Sequence, residues 1–90
     1  MTHYPWTNLR RPHADEVVAW LCRRREINPV DFIAVGHRRS LAGLRRYAAY
    51  LLLTECGMSR VEIAMYFNRG TSTIHAWVKP YLAECRREAA

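Results

Sequence analysis

Apolar and polar positions alternate along this chain with helical period, and no segment alternates with period two. From Ala14 to Arg25, Val17, Val18, Leu21 and Cys22 fall on one helical face with Trp20 beside them, while Asp15 and Glu16 occupy the first turn, where the macrodipole favours acids. This predicts a first helix. Asn28-Pro29 is an N-cap and N1 pair opening a short helix through Asp31, Phe32 and Val35, closed by Gly36. After the basic loop His37-Arg38-Arg39, Ser40 is expected to cap a long helix with Leu41, Leu44, Ala48, Leu51, Leu52 and Cys56 on one broad face, ended by Gly57. Arg45 and Arg46 read as lying off that stripe.

Ser59-Arg60-Val61-Glu62 is a capping box that starts a short helix through Ile63, Ala64 and Phe67. Asn68-Arg69-Gly70 is the turn, and Thr71 is expected to cap a last helix with Ile74, Trp77, Val78 and Tyr81 inward. Pro80 has no N–H for the Ala76 carbonyl, so a kink or break is expected near Lys79. The expected architecture is all-α with about five helices: an extended arm over 1–13, one domain over 14–90, a helix-turn-helix over 59–79 and a helical tail over 80–90. Trp6 is expected to staple the arm to the body.

Ninety residues make one domain. Three dispersed cysteines, Cys22, Cys56 and Cys85, form neither a disulfide framework nor a zinc site. No metal, cofactor or small-molecule substrate is called for, no stretch is long and apolar enough to span a membrane, and the expected location is the cytoplasm, on the nucleoid when bound. With no P-loop, paired catalytic carboxylates or nucleophile beside a base, the reading is a non-enzyme.

Charge changes the picture further. The chain carries 14 Lys and Arg against 8 Asp and Glu, a net +6, and all but Lys79 of these cations are arginine. Residues 1–35 hold five Arg against four acids, 36–79 seven cations against two acids, and 80–90 two against two, so the excess of +5 sits in the middle. Arginine's planar fork suits phosphate and base edges, and the expected partner is double-stranded DNA.

Met58 to Val78 meets the needs of a helix-turn-helix: a small residue, Ala64, where two helices touch, Asn68 for positive φ in the turn, and Ile63, Phe67, Ile74 and Trp77 to pin the second helix. Opposite its apolar sector stand Ser72, Ala76 and Lys79, with His75 at the flank and Thr71 and Thr73 in the first turn. These are the major-groove candidates. Arg38, Arg39, Arg45, Arg46, Arg60 and Arg69 form the expected backbone-contact set, and a loop arginine such as Arg38 or Arg39 also suits a narrow minor groove.

From Val17 to Val78 the chain resembles the C-terminal DNA-binding domain of the bacterial replication initiator DnaA, of the Trp-repressor-like helix-turn-helix group. The resemblance is carried by Asn28-Pro29-Val30-Asp31-Phe32, by Arg38-Arg39-Ser40, by Leu44 to Leu51 and by Ser59 to Phe67. Its strongest part is Arg69-Gly70-Thr71-Ser72-Thr73-Ile74, similar to the family's R-D-H-T-T-V, with Gly70 and Thr71 in place of the signature's Asp and His. The resemblance implies duplex recognition through Arg39, Arg45, Arg46, Arg69, Thr71, Ser72 and Thr73. The resulting expectation is a stand-alone, sequence-specific DNA-binding protein of a bacterium or phage, a transcriptional regulator expected to pair as a homodimer. The alternative is a DnaA-like interaction module that binds a replication or phage protein.

Overall fold

The computed structural model describes residues 6, 11–33 and 39–89, with side chains placed for 6, 11–33 and 41–84. It is all-α. The five helices are α1 (Ala14–Arg25), α2 (Pro29–Ile33), α3 (Arg39–Thr54), α4 (Arg60–Phe67) and α5 (Thr71–Ala89), and no strand occurs among the described residues. No helix is long and apolar enough to cross a membrane.

α1 begins after His13, whose carbonyl accepts from the Glu16 and Val17 N–H groups. It ends with Glu26 in the left-handed region at φ 55°, where the Ile27 N–H returns to the Cys22 carbonyl. α2 opens as its Asn28-Pro29 start requires: the Asn28 side-chain oxygen accepts from the Val30 N–H at 3.0 Å. The continuation of α2 to Val35 and Gly36, and the loop His37-Arg38, lie outside the described residues, as do residues 1–5 and 7–10 of the arm.

α3 starts at Arg39, so Ser40 lies within the helix rather than capping it. Its inner face carries Leu41, Ala48, Ala49, Leu51 and Leu52 into a core shared with Val17, Val18, Leu21 and Cys22 of α1, Phe32 of α2, Ile63 and Phe67 of α4, and Ile74 and Val78 of α5. Phe67 anchors this core edge-on to Phe32 at 6.0 Å and to Trp77 at 5.7 Å. Gly57, at φ 68°, turns the chain out of α3.

α5 is one helix through Pro80, so of the kink or break expected near Lys79 the break does not occur. Pro80 and Ala76 are both exposed, so the N–H that Pro80 lacks is lost on the solvent side of the helix rather than in the core. Beyond the proline, Tyr81 is held on α3, 5.2 Å from Tyr50 and 6.0 Å from Tyr47 between ring centroids. Packing thus carries the helix past the missing bond.

The arm is tied down at the residues described. Trp6 packs edge-on to Trp20 at 5.4 Å and its indole N–H donates to Glu55 Oε1 at 3.1 Å. Pro12 is buried, and the Arg11 guanidinium lies where a Cβ on Gly57 would stand.

Candidate nucleic-acid interface

The outward face of α5 is set by the turn before it. The Ser59 side chain accepts from the Glu62 N–H at 3.1 Å while Glu62 Oε1 accepts from the Ser59 N–H at 3.0 Å, so the capping box closes in both directions. That backbone bond, with the Ser59 hydroxyl second, holds the Glu62 carboxyl below its ordinary range. At the other end of α4, Asn68 adopts φ 53°, ψ 51°, the Arg69 N–H returns to the Ala64 carbonyl at 2.9 Å and the Asn68 N–H to Met65 at 3.2 Å. This double return is the Schellman arrangement, and asparagine supplies the left-handed residue at small cost.

α5 then starts one residue earlier than a Thr71 cap would place it. The Gly70 carbonyl accepts from both Thr73 and Ile74 N–H groups, so Gly70 stands at the cap and Thr71 is the first helical residue. Ile74 and Val78 are buried and Trp77 half-buried, which turns the opposite side of the helix to solvent. Thr71, Ser72, His75, Ala76 and Lys79 are all exposed and Thr73 is half-buried. The chosen face of α5 therefore stands open as one surface of hydroxyls, an imidazole, a methyl group and an ammonium.

The arginines divide. Arg46 is exposed on α3. Arg69 is half-buried beside the turn: its Nη1 donates to the Phe67 carbonyl at 2.9 Å and its guanidinium carbon lies 6.0 Å from the Trp77 ring centroid. This contact explains how an arginine fills a turn position, with its stem on an aromatic ring and its remaining donors outward. Arg60 is half-buried with its Nε enclosed and no hydrogen-bond partner on it. Arg39 lies in the first turn of α3 and Arg38 outside the described residues.

Arg45 is the correction. It is 4% exposed, with Nε donating to the Phe32 carbonyl at 2.8 Å and Nη2 to the Asp31 carbonyl at 3.3 Å. The guanidinium thus serves two carbonyls at the end of α2. It clamps α2 to α3 instead of facing outward with Arg46. The spacing held the signal: Leu41, Arg45, Ala48 and Leu52 follow i, i+4, i+7, i+11, which puts Arg45 inside the apolar stripe.

Elsewhere, burial raises the Cys22 thiol above its ordinary value. It also pushes Cys56 up to about 11, with Glu55 and Glu16 adding to the effect, so both are protonated thiols at neutral pH. No group of three His, Cys, Asp or Glu among the described residues is placed to hold a metal ion. No family model, curated protein or solved structure matches the chain.

Proposed function

We propose that this chain binds double-stranded DNA sequence-specifically, with α5 as the helix that enters the major groove. The observation that carries the reading is the open face of α5, presented directly after a turn locked by the Ser59–Glu62 box and by Asn68, in a chain of net charge +6. Thr71, Ser72 and Thr73 offer hydroxyls at a helix N-terminus, where backbone N–H groups and the macrodipole also attract a phosphate. His75 and Lys79 add donors one and two turns on, and the Ala76 methyl leaves room for a base edge. Arg46, Arg60 and Arg69, with the loop arginines Arg38 and Arg39, supply the cations for the flanking backbone. The resemblance to the DnaA C-terminal domain through the Arg69-to-Ile74 stretch points the same way. The role is that of a small bacterial or phage transcriptional regulator, acting in the cytoplasm on the nucleoid. A pair of copies on a palindromic site would double the limited specificity of one short helix.

Selection of bound duplexes from a random pool tests this directly, with one enriched motif as the expected result. Ser72→Ala and Lys79→Ala shift preference among sequences, whereas Arg46→Ala weakens all duplexes alike. About four phosphate contacts give a slope of log K against log salt of about −3.6. A pool that yields no motif, together with an affinity indifferent to salt, overturns the reading.

A further inference from the structure

Trp20 borders two unlike grooves. On one side it meets Trp6, Asp15, Glu16, Ala19 and Arg23. On the other, Leu21, Arg24 and Arg25 of α1 face Leu44 and Tyr47 of α3 across a concave strip. The described residues lining this second groove give it an aliphatic and aromatic floor, and the charged groups among them are both arginine. Arg24 lies over the Trp20 ring at 5.0 Å, and both arginines are exposed. Cations in the last turn of a helix are explained by the macrodipole alone; two of them rimming an apolar trough are not.

The groove also faces away from the reading surface. Tyr47 touches Tyr81, and Tyr81 stands nine residues, or half a revolution at 100° per residue, from Ser72 around α5. A duplex seated on Ser72 and Ala76 therefore leaves the Arg24–Arg25 trough open.

We propose that this trough binds an acidic peptide segment of a partner protein, its carboxylates on Arg24 and Arg25 and one large apolar side chain on Leu21 and Leu44 between Trp20 and Tyr47. Charge complementarity selects the occupant: guanidiniums pair with carboxylates in two parallel bonds, and arginine with aromatic rings is the composition of interface anchors. Single-stranded nucleic acid fits less well, because it needs open ring faces to stack on. Here Trp20 is covered by Arg24 and met edge-on by Trp6, while Tyr47 packs against Tyr50 and Tyr81. The proposal is independent of DNA binding.

The test is panning a random dodecapeptide display library against the full chain, followed by anisotropy with the enriched peptides. Enrichment in Asp and Glu around a Leu, Ile or Phe is expected. Exchanging those acids for Lys in the peptide abolishes binding to the unaltered chain, and the double variant Arg24→Glu, Arg25→Glu, still folded by circular dichroism at the assay temperature, lowers affinity by about tenfold or more. Peptides without acid enrichment, or binding indifferent to both exchanges, overturn the proposal. So does labelled oligothymidylate that binds more tightly than the peptides and displaces them.

Discussion

The α4–α5 unit and the arm, α1 and α2 are held by different kinds of contact. In the first, the polar work is short-range: Ser59 and Glu62 are three residues apart, Arg69 reaches Ala64 five residues back, and Arg69 closes on Phe67 two residues away. In the second, side chains bridge long stretches of chain, with Trp6 on Glu55 over 49 residues and Arg45 on Phe32 over 13. Tyr66 joins the two halves, its hydroxyl donating to Asp15 at 2.8 Å. Burial, with that bond second, pushes its phenol above the ordinary tyrosine range and keeps it a donor at neutral pH. The cap and the turn that orient the proposed reading face are thus set by their own sequence, and the rest serves as a buttress whose parts must meet in three dimensions.

The largest break in this contrast is Arg45→Ala. It strips two carbonyls of α2 of a charged donor and is expected to lower stability by about 2–4 kcal/mol, measured by chemical denaturation. Arg45→Lys should recover little, because a single ammonium does not reproduce the fork. If Arg45→Ala leaves stability unchanged while weakening DNA binding as Arg46→Ala does, its clamp role is wrong.

Ser59→Ala comes next, at about 1 kcal/mol. Because this cap sets the start of α4, amide exchange should quicken in α4 before it does in α1. A change of opposite sign is expected at Glu26→Gly. The α1 end has the same left-handed geometry as the α4 end, but on a residue with a full side chain, so glycine should stabilise by about 0.5–1 kcal/mol. Asn68→Gly should gain less, since asparagine already tolerates that region.

The smallest effect is acidic. A carboxyl held below its ordinary value contributes stability above the unfolded pKa, and that contribution is lost as pH falls through the folded one. The stability difference between the unaltered chain and Glu62→Gln should therefore be constant at neutral pH and shrink below about 4.5. A difference that grows on acidification would contradict the box as the cause.

This division also governs what could be read from the chain. The ends of α1, the Asn28 cap, the Ser59 box and the Asn68 turn were all legible, because each is written within a few consecutive residues. Arg45 was misread because its charge argued for the surface while its spacing argued for the core, and two carbonyls of another helix within reach of its guanidinium decided the matter. The break at Pro80 failed to appear for a related reason. The local rule counts the lost N–H, but Tyr81 on Tyr47 and Tyr50 outweighs it from α3. The open face of α5 was legible because it is the complement of four apolar positions at helical spacing.

Gly57 is constrained from two sides, by a backbone angle that disfavours any side chain and by the Arg11 guanidinium seated where a Cβ would be. Trp6, Arg11 and Pro12 are thereby part of the wall of the folded body. Trimming them to obtain a minimal fragment would strip the cover from Gly57, from the edge of Trp20 and from the hydrogen bond on Glu55, leaving a shortened chain that exposes an aromatic ring and a turn built around an absent neighbour.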